Sequence, residues 1–219
     1  SGMNLTKVLK YGEERLAEKG IPNARYDTDL LLGTVLGLER HQLYLEPSRV
    51  LTHTELEKFR FFLRRRQSRE PLQYILGRQE FLGLTFYVNQ HVLIPRADSE
   101  LLIEVMLRSG VSKNSAIVDV CTGSGALAIA IAHCCPTVCV VGTDISQAAL
   151  EVAQMNAKNN GVNVEWRQGD FLSPVRDGLW DWIITNPPYV SEAEYKACDP
   201  DIHYEPSIAL LGGDDGLDF

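Results

Sequence analysis

The tetrapeptide Asn186, Pro187, Pro188 and Tyr189 contains residue types that could do chemistry. It follows the apolar run 180–184, which predicts a buried strand. Pro187 lacks a backbone donor, and Pro188 forces the residue before it to be extended, so the segment is stiff. Two acceptors remain side by side, the Asn186 side-chain carbonyl and the Pro187 backbone carbonyl. Such a pair suits a planar NH2 group with two hydrogens to donate, and Tyr189 could cover its flat face.

A second candidate site follows the predicted strand 116–120. Its members are Cys121, Thr122, Gly123, Ser124 and Gly125. Glycines where a strand turns into a helix let a ligand approach the backbone. Asp144 stands 19 residues after Gly125, at the end of the next predicted strand, where a carboxylate accepts hydrogen bonds from ribose hydroxyls. Phe171 follows the third strand and could pack against a purine. These residues predict a site for an adenosine-containing cofactor.

Two cofactors fit that pattern. The spacing of Gly123, Gly125 and Ala128 matches a dinucleotide fingerprint, which would bind a nicotinamide cofactor. The Asn186 segment favours S-adenosylmethionine instead, because a nicotinamide enzyme gains nothing obvious from two acceptors beside a stacked aromatic ring.

Strands and helices alternate from residue 115 onward. The predicted strands are Ala116–Val120, Val138–Val141, Val164–Arg167 and Trp182–Thr185, and the helices between them are Ala126–Ala132 and Gln147–Lys158. Such alternation predicts an α/β, doubly wound (Rossmann-like) parallel sheet. Ligands of such sheets bind beyond the carboxyl ends of the strands, so both candidate sites should meet in one crevice.

The residues before this domain differ in pattern. The pattern of residues 1–77 predicts a small helical bundle with a docking role. Residues 78–95 are predicted to form a β-hairpin linker, and residues 96–219 the α/β domain. A capping box from Thr52 to Glu55 starts one helix, whose basic end 64–66 we interpret as a solvated helix end or a contact for an acidic partner. Asp98 or Ser99 should cap the helix 101–107.

Composition narrows the class of protein. The 219 residues are 45% hydrophobic with a formal net charge of −8, which predicts a soluble globular chain and disfavours direct nucleic-acid binding. No apolar run is long enough to span a membrane and no signal peptide is visible, so a cytoplasmic location is expected. The five cysteines lack a Cys-x-x-Cys pair and predict buried, reduced thiols. A zinc site with His133 has little support from the spacing, so we expect no metal.

With both motifs in view, the chain resembles the release-factor glutamine methyltransferases (HemK/PrmC type). The matching segments, which span nearly the whole chain, are 77–81, 92–96, the glycine-rich loop 121–125, Asn186–Tyr189, 204–206 and 212–217. The resemblance implies a helical N-terminal domain before a methyltransferase domain. It implies transfer of a methyl group from S-adenosylmethionine to the side-chain amide of a glutamine in a Gly-Gly-Gln loop of peptide chain release factors.

The resemblance also assigns roles to residues. It implies cofactor contacts at Cys121–Gly125, Asp144, Phe171 and Asn186, with substrate contacts at Asn186–Tyr189 and catalysis by Asn186 and Pro187. An amide nitrogen is a poor nucleophile, so catalysis should come mainly from alignment for in-line displacement.

Three departures from the family pattern stand out. Cys121 occupies a usual glycine position, which is tolerable if its φ is negative, and Ala97 replaces a usual proline. The family plan continues beyond Phe219 with three further strands, so we expect a truncated form with an open sheet edge at 182–184, self-association and impaired activity. Two alternatives stay open: an N-methyltransferase acting on an amino group of a nucleic-acid base, and an inactive cofactor-binding form.

Overall fold

The computed structural model describes residues 2–185, apart from the side chain of Asp98. The predicted substrate segment Asn186–Tyr189 lies outside the described residues, as does everything after it. Two compact units divide the chain, one ending at Leu76 and the next beginning at Gly77.

The first unit is helical. Its α-helices are α1 (Leu5–Glu18), α2 (Ala24–Leu36), α3 (His53–Gln67) and α4 (Leu72–Leu76), and a 3-10 helix spans Arg40–Tyr44. They enclose an apolar core that includes Leu9, Leu32 and Phe59, each at most 2% exposed. The predicted capping box starts α3: the Thr52 hydroxyl accepts from the Glu55 amide at 3.1 Å, and the Glu55 carboxylate accepts from the Thr52 amide at 2.9 Å.

The basic end of α3 has a role that the sequence analysis did not predict. Arg66 is buried, and its Nε donates to Asp27 of α2 at 2.9 Å. Arg65 pairs with Glu70, whereas Arg64 is exposed. Interpreting the whole run as a solvated helix end is therefore wrong for Arg66, because only the tertiary structure supplies its buried partner.

The second unit begins with a hairpin of β1 (Arg78–Phe81) and β2 (Leu84–Tyr87). The two residues between the strands, Leu82 and Gly83, have φ of 49° and 75°. Two consecutive positive φ values fit the twist of a tight hairpin, and glycine adopts them without steric cost.

A parallel sheet forms the centre of this unit. Its strands are β3 (Ala116–Val120), β4 (Cys139–Asp144), β5 (Glu165–Gln168) and β6 (Trp182–Thr185), and its helices are α5 (Glu100–Arg108), α6 (Ala126–Cys134) and α7 (Gln147–Asn159). The order of these strands is β5-β4-β3-β6, and every neighbouring pair is parallel. The predicted α/β Rossmann-like class is confirmed, and the predicted strands agree with the observed ones to within a few residues.

The two faces of the sheet bury different residues. One cluster contains Ile117 and Ile184 of the strands with residues of α6 and α7. The other contains Val118, Val120 and Val141. Ser99 precedes α5 as predicted, but its side chain makes no capping hydrogen bond. Among the described strands β6 lies at one edge of the sheet, where Ile183 is 53% exposed.

The cysteines are less buried than predicted. Of the four cysteines within residues 2–185, Cys134 and Cys139 are exposed, Cys121 and Cys135 are partly buried, and all are free thiols; Cys198 lies outside the described residues. Cys134 ends α6 and Cys139 begins β4, so both lie at element ends near the surface. Residues 2–185 contain no cluster of potential metal ligands. None of the helices described is long and apolar enough to span a bilayer.

Candidate functional site

A tight loop connects β3 to α6 and carries the predicted cofactor residues. The Thr122 amide donates to the Thr143 carbonyl of β4 at 2.8 Å, and the Gly125 amide donates back to the Thr122 carbonyl at 2.9 Å. The Ile129 amide then donates to the Gly125 carbonyl at 2.8 Å, so the α-helical pattern starts at once. The loop is thereby fixed against the carboxyl end of the neighbouring strand.

The glycines of this loop serve different purposes. Gly123 has φ of 56°, and a β-carbon built there would meet no atom within 4 Å. Gly125 has φ of 82°, and a β-carbon there would lie 2.9 Å from the Trp166 ring. Trp166 also packs directly on Gly142 of β4. Gly125 and Gly142 therefore accommodate the tryptophan, whereas Gly123 leaves open space beside the loop.

Asp144 reaches this loop from the end of β4. Its Oδ2 accepts from the Gly123 amide at 2.9 Å, and its Oδ1 accepts from the Ser146 amide at 3.0 Å. Burial raises the pKa of the Asp144 carboxyl, although these amides favour its charged form. Each carboxylate oxygen can accept more than one hydrogen bond, so Asp144 retains acceptor capacity for hydroxyls of a ligand.

Asp119 is a second carboxyl beneath the loop, and the sequence analysis did not assign it a role. It is 1% exposed, and its Oδ2 accepts from the Thr122 hydroxyl at 2.7 Å. Burial, helped by the charge of Asp144, raises the pKa of Asp119 to about 7, while the Thr122 bond and the Ala128 amide lower it. Within residues 2–185, Asp119 Oδ1 accepts no hydrogen bond. A charged residue inside an otherwise apolar strand was the signal that could have drawn attention to Asp119.

The backbone of Cys121 does not have the negative φ under which a side chain was expected to be tolerable at this position. Its φ is +61°, in the left-handed region that favours glycine, rather than negative. The residue occupies this conformation because the chain must turn sharply from β3 into the loop. Burial and the charge of Asp144 raise the pKa of the Cys121 thiol to about 12, so the thiol is neutral at physiological pH.

Phe171 lies three residues beyond the observed end of β5 and also has a positive φ, 43°. It packs, partly buried, against the cluster of Val118, Val120 and Val141. Its predicted contact with a purine stays a prediction.

The structure thus brings the glycine-rich loop and Asp144 into direct contact. Asn186 and Pro187 follow β6 in sequence but lie outside the described residues. An adenosine-containing cofactor fits the described half of this site in two respects. The space beside Gly123 admits a close approach to the backbone, and Asp144 offers acceptors to ribose hydroxyls.

Comparison with protein families covers both units. Residues 7–77 match the PrmC N-terminal domain, and residues 96–199 match the methyltransferase small domain.

Individual relatives match across both units as well. The release factor glutamine methyltransferase of Geobacter sulfurreducens is 44% identical over 216 residues, which cover 98% of this chain and 76% of the relative. The proteins of the same name from Moorella thermoacetica and Chlorobaculum tepidum are 41% and 40% identical, over 99% and 95% of this chain and 77% and 75% of the relatives. Identity at this level across both units means that the chain belongs to the family of release factor glutamine methyltransferases.

Proposed function

We propose that this protein transfers a methyl group from S-adenosylmethionine to the side-chain amide nitrogen of a glutamine in a peptide chain release factor. The observation that carries the proposal is the similarity to relatives of that name over nearly the whole chain, at 40–44% identity. It includes the helical unit, which a generic methyltransferase domain would not require.

The described loop supports the choice of cofactor. Asp144 holds the Gly123 amide through one carboxylate oxygen and keeps free acceptor capacity for the two ribose hydroxyls. The open space beside Gly123 leaves room for the rest of the nucleoside. Phe171 is proposed to line the purine, and Asn186 to complete the site. When bound, S-adenosylmethionine supplies a methyl group already activated by its positive sulfonium.

Catalysis in this proposal is mainly alignment. Asn186 and Pro187 accept hydrogen bonds from the glutamine NH2 group, which orients its nitrogen and reduces delocalisation into the carbonyl. The glycine-rich loop and Asp144 would hold S-adenosylmethionine, which would supply the methyl group to the nitrogen oriented by Asn186 and Pro187, and that nitrogen would release its proton to water. Ideal orientation is worth an effective molarity of about 10⁵ M or more, so no strong general base is required. Pro188 keeps the segment stiff, and Tyr189 covers the amide plane.

The helical unit is proposed to dock the release factor. Its surface carries a group of aromatic and arginine side chains around a fully buried carboxylate, Asp29. The Tyr44 hydroxyl donates to Asp29 at 2.9 Å and Arg40 donates to it at 2.8 Å. Arg40 also lies over the ring of Tyr26, 4.9 Å from its centroid. Tyr26 and Tyr44 are 46% and 49% exposed. Tyrosine and arginine held in fixed positions are frequent anchors of protein interfaces, which supports a docking role.

A labelling experiment tests the proposal. The protein is incubated with methyl-labelled S-adenosylmethionine and either a release factor, the same factor with the glutamine of its Gly-Gly-Gln loop changed to alanine, or a DNA fragment. We expect label in the intact factor alone. Label in DNA would favour the base-methylating alternative, which the net charge of −8 makes unfavourable.

The variant Asn186→Ala tests the substrate segment in the same assay. We expect turnover to fall by about 10²-fold, because an orienting contact is lost. Near-normal methylation of the release factor by this variant would exclude the proposed role of Asn186.

A further inference from the structure

Asn156 lies on α7, facing the interior. It is 0% exposed and lies beside Val152, Ala153 and Ala157, three of the buried apolar residues of α7. A polar side chain buried this completely needs hydrogen-bond partners, and removing them carries the full cost of desolvation. The function assigned above uses no residue of α7, so the partners of Asn156 require a separate explanation.

The side chain joins two segments that are distant in sequence. Its Oδ1 accepts from the Tyr87 amide of β2 at 2.7 Å, and its Nδ2 donates to the Tyr87 carbonyl at 3.0 Å. The second hydrogen of Nδ2 is donated to the Ser124 carbonyl of the glycine-rich loop at 2.9 Å. The carbonyls can only accept and the amide can only donate, so this orientation of the side chain is the consistent one.

One amide group therefore holds the outer edge of the hairpin and the centre of the cofactor loop together. Ser124 is itself buried, and it is flanked by Gly123, whose amide binds Asp144. The Ser124 carbonyl shares its peptide unit with the Gly125 amide, which donates to the Thr122 carbonyl at 2.9 Å, so any shift of this carbonyl would disturb the hydrogen bond that closes the loop. Within residues 2–185 the hairpin makes no direct hydrogen bond to the loop, so Asn156 provides the hydrogen-bonded link between them.

Asn160, one turn further along α7, provides a natural comparison. Its Nδ2 donates to the Thr85 carbonyl of the same hairpin strand at 3.0 Å and to the Asn156 carbonyl at 2.9 Å. Asn160 thus ties the hairpin to the helix as Asn156 does, but it has no bond to the glycine-rich loop.

We propose that Asn156 is a positioning residue for the cofactor site: it fixes the Ser124 carbonyl and makes the glycine-rich loop and the hairpin respond as one unit to cofactor binding. This inference rests on the proposed function, because it takes the loop to be the cofactor site. Asn156 does not touch the cofactor in this account; it acts through the loop backbone.

The first test is binding of S-adenosylhomocysteine, measured by calorimetry, to the full chain and to Asn156→Ala, Asn156→Asp and Asn160→Ala. Asn156→Asp keeps the size and the acceptor for Tyr87 but places a second oxygen against two carbonyls. We expect both Asn156 variants to bind at least tenfold more weakly, and Asn160→Ala to lose less than threefold. Equal losses in the Asn156 and Asn160 variants would overturn the proposal, since loss of the hairpin tether alone would then explain both.

The second test uses the unaltered protein, so it does not depend on whether a variant folds. Amide hydrogen exchange is measured with and without S-adenosylhomocysteine at Tyr87, whose amide binds Asn156, and at Val88, whose amide binds the Gly77 carbonyl. We expect the ligand to slow exchange at Tyr87 at least threefold more than at Val88. If the ligand binds but this difference is absent, the coupling proposed for Asn156 is refuted, whereas the proposed function is not. Absence of any binding to the unaltered chain would instead remove the proposed function, and the inference with it.

Discussion

Cys121 illustrates how a single dihedral angle can decide whether a residue suits its position. A residue with a β-carbon at φ of +61° carries a steric penalty of about 1–2 kcal/mol that glycine avoids. The thiol is partly buried and packs against the cluster of Val118, Val120 and Val141. The penalty is therefore accompanied by some favourable packing, and the two contributions need to be separated.

A pair of variants separates them. Cys121→Ala removes the sulfur and keeps the β-carbon, whereas Cys121→Gly removes both. We expect the glycine variant to be more stable than the alanine variant by about 1 kcal/mol in urea unfolding, because glycine relieves the strain. At an ordinary negative φ the order would be reversed. An alanine variant as stable as the glycine variant, or more so, would contradict the positive φ.

Asp119 makes the stability of the folded protein depend on pH, and the direction of that dependence follows from its raised pKa. Burial raises its pKa in the folded protein to about 7, above the ordinary value of 3.8 that applies after unfolding. The folded state therefore binds this proton more tightly than the unfolded state does. The stabilisation from protonated Asp119 is complete below pH 4 and is lost as the pH rises through about 7.

The variant Asp119→Asn removes this titration while keeping an acceptor for the Thr122 hydroxyl. We expect the stability of the unaltered protein, relative to the variant, to fall between pH 5 and pH 7 and to level off by pH 8. Urea unfolding at several pH values gives this difference directly. A difference that is constant over that range would show that Asp119 does not titrate as described.

At the scale of elements, α2 and α3 are joined by a buried ion pair. Arg66 and Asp27 have side-chain exposures of 6% and 9%, and Arg66 also donates to the Glu70 carbonyl at 2.9 Å. A buried pair adds little net stability over an apolar pair, but the loss of one partner leaves an uncompensated charge. The pair therefore restricts the substitutions allowed at these two positions, because changing one residue alone leaves the other buried and charged.

We expect Arg66→Met to lower the free energy of unfolding by about 3–5 kcal/mol, because Asp27 is left buried without its partner. The double variant with Asp27→Leu should recover a large part of that loss. Arg64→Met, two residues earlier on the exposed side of α3, is the matched control and should change stability by less than about 0.5 kcal/mol. Equal effects of the Arg64 and Arg66 variants in chemical denaturation would refute this account.

At the scale of the whole molecule, the proposed cofactor should stabilise one unit specifically. A ligand that binds only the folded state adds about 2.7 kcal/mol at a concentration of 100 times its dissociation constant. We expect S-adenosylhomocysteine at that concentration to raise the stability of the unit that begins at Gly77, and to leave amide exchange in the core of residues 2–76 unchanged.

Two controls accompany this measurement. NAD at the same concentration should give no stabilisation, because the family is one of methyltransferases. Asp144→Ala should lose most of the S-adenosylhomocysteine effect, since hydrogen bonds to a charged group contribute about 1.5–3 kcal/mol. Stabilisation by NAD, or an undiminished effect of S-adenosylhomocysteine on Asp144→Ala, would contradict the assignment of the glycine-rich loop as the S-adenosylmethionine site.

Much of the architecture was predictable because it is encoded locally. The alternation of apolar runs with helical periodicity predicted the parallel sheet, and β6 was predicted with its observed limits at Trp182 and Thr185. The Thr52 capping box formed as expected, because its partners are only three residues apart. The contact between the glycine-rich loop and Asp144 followed from the rule that parallel strands bring their carboxyl ends to one edge.

The sequence by itself thus determined the fold class, the strand that each candidate site residue follows and the family resemblance. Only the tertiary structure decided which polar groups are buried together: Asp119 with Thr122, Arg66 with Asp27, and Asn156 with Tyr87 and Ser124. The physical reason is that periodicity reports the environment of a residue within its own element. The partner of a buried polar group comes from another element, and its identity depends on packing across 32 residues of chain for Ser124 and 69 for Tyr87.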